Sequence, residues 1–373
     1  MRKGFIFWVG TMGLALALGL LMGLPMAGQT KPIPRMPDGH PDLQGTYDLG
    51  TMTPFERLPG MPPVLTKQQA EALQKAEVTR RAKDDQPDRV DRPAPPVGGD
   101  TSTPKSYFEA LEKAGGGAVG GYNRFWLSQG TKYTVIDGQV RTSIVVDPSD
   151  GHVPPYNAIA RQRLAAARAT PTSDARESQD PTAEPAGAFD NPEQRPLGER
   201  CLLGFGSTSG PPALPDYFYN ELHQIVQTPG SIMILSEMVH DARIVRMNAT
   251  HLPKTIRRWM GDSIGHWEGD TLVVDTTNFN DKTRFRGSTE NLHVIERFTR
   301  IDGKTLLYRF TVEDPETWDR PWSGEYTWPA TDKLIYEYAC QEGNYALGDV
   351  LRGARKQEAA AEASGASSGT GKN

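Results

Sequence analysis

The sequence carries almost no ready-made chemistry. It has no His-Glu-x-x-His pair, no Gly-x-Ser-x-Gly elbow, no phosphate-binding Gly-rich loop ending in Lys, and no Cys-x-x-Cys. These gaps leave no motif for zinc, serine-nucleophile, nucleotide or dithiol chemistry, and no cofactor class is indicated. Basic stripes are also missing. With 41 Lys and Arg against 46 Asp and Glu, the formal charge is −5, so nucleic acid is not a natural partner. After the first 24 residues no apolar run approaches membrane-spanning length.

What is present begins with an export signal. Arg2 and Lys3 precede an uncharged run from Gly4 to Leu24, which Pro25 and the small residues Ala27 and Gly28 close. That order predicts a secretory segment over residues 1–28 and a periplasmic or secreted protein. The run exceeds the usual ~7–15 residues, so an uncleaved N-terminal anchor is the rival reading. Cys201 and Cys340 are the two cysteines, and both lie in the exported part. An oxidising compartment favours a disulfide between them; two buried free thiols are the alternative.

The 38 glycines and 30 prolines predict many short elements and long loops rather than a helical bundle. Residues 29–218 read as a loop-rich half, with a strand near Leu43–Leu49 and a hairpin turning at Asp137-Gly138. Helices are expected over residues 66–82, opened by a Thr66…Gln69 capping box, and over residues 156–168. Residues 84–105 and 169–198 read as surface loops.

Residues 219–352 change character. Eight or nine strand-like runs follow at short spacing, with turns at Thr228-Pro-Gly-Ser231, Gly269-Asp270 and Asp302-Gly303. The last run is Leu334–Cys340. The spacing predicts a mainly β fold: an antiparallel meander closed as a barrel or strongly curved, with about two peripheral helices. The Ala, Gly and Ser-rich residues 353–373 read as a disordered tail.

The hairpin at Asp302-Gly303 has a computable register. A two-residue turn pairs Ile301 with Lys304. It places His293 and Arg297 on the face that carries Ile295, Ile301, Leu306, Tyr308, Phe310 and Val312. That face is the more apolar, so it should point inward. A three-residue turn swaps the faces and makes Glu296 the inward carboxylate. Trp322, Tyr326 and Trp328 share one face, and Tyr336, Tyr338 and Cys340 share one face of the next run.

These patterns give a ligand-binding candidate set of His293, Arg297, Tyr308, Trp322, Tyr326 and Tyr338; the same residues also suit a packed core. His240, Asp241 and His293 are the catalytic candidates, although His240-Asp241 also reads as a loop-end pair capping backbone groups. Asp262, His266, Glu268, Asp270 and Asp275 form a carboxylate-rich run, but its turn explains the acids, and no metal site is expected.

Several stretches also carry a resemblance. PDGHPDLQGTYDLGTMTPFER, RTSIVVDPSDGHVPP, RPLGERCL, QIVQTPGSIMILSEMVHDARIV, WMGDSIGHWEGDTLVVDTTNFNDKTRFRGSTENLHVIERFTR, DPETWDRPWSGEY and YEYACQEGNY resemble a family of exported bacterial proteins of unknown function. The resemblance covers Pro37 to Arg352. It implies a periplasmic or secreted setting and supplies no catalytic residue. The architecture is only loosely similar to lipocalin-type barrels, and fold does not fix function.

Three functions fit. The leading one is binding of a small, partly apolar molecule in a barrel pocket. The others are a cofactor-free hydrolase, lyase or isomerase using His, Asp and Glu, and a structural or assembly role in the envelope. No membrane partner is expected beyond a possible N-terminal anchor.

Overall fold

Period-two alternation of apolar and polar residues builds this fold. The computed structural model describes residues 33–84, 130–169, 189–205, 210–215, 220–283 and 285–368. The export segment, nearly all of the Pro-rich stretch 84–105 and residues 170–188 lie outside these described residues.

The N-terminal half contributes β1 (Gly45–Asp48), β2 (Val64–Leu65), α1 (Lys67–Asp84), β3 (Val135–Ile136), β4 (Gln139–Arg141), β5 (Val145–Asp147) and α2 (Ala158–Ala169). The larger strands follow: β6 (Leu222–Gln227), β7 (Ser231–Ser236), β8 (Ala242–Met247), β9 (Asp262–Glu268) and β10 (Thr271–Thr277). β11 (His293–Arg300), β12 (Thr305–Glu313), β13 (Trp322–Thr331) and α3 (Tyr345–Ser368) complete the chain.

Nine strands close a barrel in the order β1-β6-β7-β8-β9-β10-β11-β12-β13, with β13 returning to β1 through Thr46–Thr331 and Tyr47–Ala330. β5 adds to the start of β13, and β2-β4-β3 form a separate small sheet. The mainly β barrel with peripheral helices is as the sequence predicts. One neighbour pair departs from the antiparallel meander: β8 and β9 run parallel over two register positions.

Local chemistry explains the elements. Asp137 (φ 51°) and Gly138 (φ 75°) supply the two left-handed residues of a primed hairpin turn between β3 and β4. Thr66 and Gln69 cap α1 reciprocally, with Gln69 N donating to Thr66 Oγ1 at 3.2 Å and Thr66 N to Gln69 Oε1 at 2.9 Å. α2 starts at an Asn157 cap, whose Oδ1 accepts from Ala160 N at 2.9 Å.

The core is aromatic. Tyr47, Phe298, Phe310, Trp318, Trp322, Tyr308, Tyr326 and Trp328 are all essentially inaccessible. Ring centroids lie 4.8 Å apart for Tyr308–Trp328 and 5.4 Å for Phe298–Trp328. Burying one such ring stabilises by about 4–6 kcal/mol as an upper bound.

Four expectations are corrected. First, the barrel is not confined to residues 219–352, because β1 at residues 45–48 is one of its staves. Second, Leu334–Cys340 forms no strand. β1 already occupies the outer edge of β13, so that segment has no ladder to join; it is held instead by Tyr336 N donating to Glu237 Oε1 at 2.9 Å. Third, most of the tail is helical, since α3 runs to Ser368; its Lys-Gln-Glu-Ala-Ala-Ala-Glu-Ala stretch is rich in helix formers.

The fourth concerns register. β11 and β12 pair Phe298 with Tyr308 and Arg300 with Leu306, one residue off the two-residue-turn expectation. Asp302 Oδ1 accepts from Lys304 N at 2.7 Å, and Ile301 N donates to Thr305 O at 3.0 Å, which makes residues 302–304 the turn. A one-residue slip exchanges faces. Glu296 therefore points inward, and His293 and Arg297 point outward.

Cys201 and Cys340 form the disulfide, with Cα atoms 5.8 Å apart and 139 residues of separation, and no described cysteine is free. It ties the chain ahead of β6 to the segment after β13. Unreduced protein should present no alkylatable thiol. A Cys201→Ser/Cys340→Ser double variant should lose about 2–5 kcal/mol in denaturant titrations; two titratable thiols before reduction would contradict the bond.

Candidate functional site

The inward positions of β8, β11 and β12 bring three polar side chains into the barrel. Arg243 and Glu296 form a paired-oxygen ion pair: Nη2 donates to Oε1 at 2.9 Å and Nη1 to Oε2. Their side chains are 5% and 0% exposed. Tyr308 donates its hydroxyl to Glu296 Oε1 at 2.7 Å. The same hydroxyl accepts from Ala213 N at 2.9 Å, and Tyr326 donates to Ala213 O at 3.0 Å. The buried segment Gly210–Leu214 is thereby bolted across the lumen beside Tyr308 and Tyr326.

Electrostatics follow from this burial. Desolvation alone lowers the Arg243 pKa, but the Glu296 charge and hydrogen bonds outweigh it and raise the value. Burial, then the Glu296 charge, push the Tyr308 phenol well above its ordinary value. Arg243 therefore stays a cation and Tyr308 a neutral donor, both bonded to the Glu296 carboxyl group.

Beside this network lies a group of polar atoms without partners. Neither ring nitrogen of His223 has a hydrogen bond, and Ser236 Oγ, Trp328 Nε1 and Arg243 Nε are also unsatisfied. His223 and Ser236 are directly opposite on β6 and β7. The His223 ring sits 5.4 Å from the Trp328 ring. Burial pushes the His223 pKa down to about 4; the Glu221 main chain opposes this without meeting hydrogen-bond geometry, and the Arg243 charge adds to the lowering. Each buried polar group left unpaired costs about 1–3 kcal/mol. A cluster of four such residues is where water or a ligand belongs.

The residues singled out from sequence do not converge on one place. Tyr308, Trp322 and Tyr326 are inside the barrel, with Tyr308 and Tyr326 in edge contact at 5.5 Å. Trp322 packs away from Tyr326, among Phe55, Phe285, Phe310 and Trp318. His293 and Arg297 are on the outer wall because of the register shift, and Tyr338 lies on the strandless segment after β13. His240 is exposed at a left-handed turn (φ 46°), and Asp241 Oδ2 accepts from Gly204 N at 3.3 Å. Asp241 thus caps a backbone N–H, while His240 points to solvent.

His293 does meet a carboxylate, as one link of a chain along the outer wall. Its Nε2 lies 2.9 Å from Asp275 Oδ1 and its Nδ1 3.6 Å from Glu313. His251 bridges Asp275 and Asp262, each at 3.2 Å, and Arg246 holds Asp262 at 3.0 Å. Hydrogen bonding to Asp275 raises the His293 pKa against its partial burial. Burial raises the Asp275 value, but His293 and His251 overcome this and lower it. No group of three or more His, Cys, Asp or Glu among the described residues is arranged to hold a metal.

Sequence reasoning missed His223 and His251. His223 carried one signal: it sits at an inward position of a strand by period two from Ile225. His251 carried none, since it stands in an irregular connection. Comparisons with known families, characterised proteins and solved structures find no match.

Two outcomes test the lumen. Arg243→Leu should destabilise by about 3–5 kcal/mol in chemical denaturation, because it strands Glu296, while Arg243→Met/Glu296→Leu should recover much of the loss; equal losses would mean the pair is not isolated by the barrel. His223 is neutral in the fold but protonates near 6.5 when unfolded. The unfolded chain therefore binds more protons between about pH 6.5 and 4, and stability falls as pH falls through that window. His223→Leu should shrink the stability difference between pH 7 and pH 4.5 by about 2–3 kcal/mol. An unchanged acid limb would show that the imidazole is not held neutral.

Proposed function

We propose that this chain is an exported protein that binds a small, partly apolar molecule in the lumen of its barrel. The observation that carries the reading is the unsatisfied cluster of His223, Ser236, Arg243 and Trp328. A neutral imidazole offers one donor and one acceptor, a hydroxyl offers both, and the Trp328 and Arg243 N–H groups donate. Their complement is a molecule with a carbonyl or carboxyl end. Its apolar part would lie against the Trp328 ring. Tyr47, Phe298, Tyr308 and Trp328 already fill the neighbouring space, so the ligand has few heavy atoms. Barrel interiors and mouths are common sites for such ligands.

The compartment belongs to the same reading. The disulfide suits an oxidising setting, and no described helix is long and apolar enough to cross a membrane. The N-terminal charge, apolar run and small residues support a periplasmic or secreted location. The acid–base alternative keeps one geometric support, the His293–Asp275 pair, which stands outside the lumen and about one-third exposed.

Native mass spectrometry of protein purified from its own host tests the proposal. The expected result is a small-molecule adduct on the wild-type protein that His223→Leu and Ser236→Val lose while remaining folded. A bare wild-type mass, with no rise in melting temperature across a panel of small carbonyl and carboxyl compounds, would sink it.

A further inference from the structure

A groove of about 250 Å³ lies on the outside of the barrel, over β11, β12 and β13. Its polar lining, Arg297, Arg309, Thr311, Ser323 and Glu325, belongs to the outward set of those strands, and the buried Phe310 ring and Gly324 form its floor toward the core. Arg297 and Arg309, both in its lining, face each other directly across β11 and β12. Like charges placed opposite in a ladder destabilise the sheet. The surrounding carboxylates only partly relieve this. Arg297 bonds Glu268, while Arg309 and Arg141 share Glu325. Three guanidinium groups thus meet two carboxylates and leave one positive charge unbalanced.

Arg309 is the group left with capacity. It engages Glu325 through Nε at 2.9 Å, and its two terminal nitrogens have no protein partner among the described residues. Its side chain is 46% exposed. Ile295 and Val146 supply an apolar wall, and the hydroxyls of Thr311 and Ser323 are bonded to each other at 2.9 Å. A parallel pair of terminal N–H groups fits a carboxylate fork, as it fits no other small group so well except phosphate. The apolar wall favours a carboxylate with a short hydrocarbon body. The volume lies below the ~300–1,000 Å³ of drug-sized sites, which limits that body to a few carbons.

We propose that this outer groove is an independent binding site for a short-chain aliphatic monocarboxylate, held by Arg309 with Arg297 behind it. Isothermal titration with sodium butyrate and, separately, with inorganic phosphate at low salt tests this. Butyrate should bind one to one, more tightly than phosphate, and weaken as salt rises. Arg309→Gln should weaken it at least about tenfold. Ile295→Glu, which sets a fixed carboxylate in the groove, should abolish binding while circular dichroism shows the fold intact. The part of butyrate binding that Arg309→Gln removes should persist at the same affinity in His223→Leu. Absence of butyrate binding, or equal affinity in Arg309→Gln, overturns the site. Phosphate binding as tightly as butyrate overturns the aliphatic assignment. Loss in His223→Leu would move butyrate into the lumen and overturn the groove without touching the lumen reading.

Discussion

The ion pair between Arg243 and Glu296 is the constraint on which the rest of the barrel turns. Both charges are removed from water, and a pair in that position is rarely a net gain over well-packed apolar side chains. Its effect is to make alternatives expensive. Arg243 on β8 and Glu296 on β11 are three places apart in the strand order, so their contact fixes the curvature that closes the sheet between them. Tyr308 adds β12 to the same knot, and Ala213 adds the segment that covers it. If β11 slipped by one residue, Glu296 would move to the outer wall and Arg243 would remain buried without a counter-charge. The turn at Asp302 and the pair in the lumen therefore specify each other, one locally and one across the barrel.

The same register divides the protein's chemistry between two surfaces. Inside are a closed ion pair, a neutral imidazole and stacked rings, where the low dielectric makes every unpaired dipole costly. Outside, β9 to β13 carry a dense set of charged groups in partial contact with water: the His251–Asp275–His293 chain at one place and the Arg297–Arg309 pair at another. β11 serves both surfaces. Val294, Glu296, Phe298 and Arg300 face in, while His293, Ile295 and Arg297 face out. The lumen reading and the groove reading are consequences of one alternation, and they rest on different side chains of the same strands.

Much of the architecture was legible in the sequence, for physical reasons that operate locally. The Asp137-Gly138 turn, the Thr66–Gln69 cap and the cysteine pair each depend on a few adjacent residues or on compartment alone. The barrel class followed from strand spacing. What was not legible depends on comparisons between distant parts. Whether Asp302 starts a two- or three-residue turn is settled by its own side chain accepting from Lys304 and by the burial of Glu296, and only the second outcome was compatible with Arg243. β1 was visible as a strand, but its place beside β13 is a matter of closure. The loss of the expected strand at Leu334–Cys340 follows from that closure. The candidate site suffered most, because a one-residue difference moved His293 and Arg297 from the lumen to the surface, and because His223 and His251 stand in no recognisable motif.

The parallel contact between β8 and β9 has a topological origin. Nine staves cannot alternate direction all the way round a closed ring; an odd count forces one neighbouring pair to point the same way. The chain must therefore travel back along the barrel between these two strands, and residues 248–261 make that return journey. His251 lies on it, and its contacts with Asp262 and Asp275 pin the returning chain to the staves it passes. The seam and the β13–β1 closure share the shortest ladders among neighbouring barrel strands, at two register positions each. Parity thus puts one same-way seam into the wall, and the outer histidine chain is the stitching laid beside it.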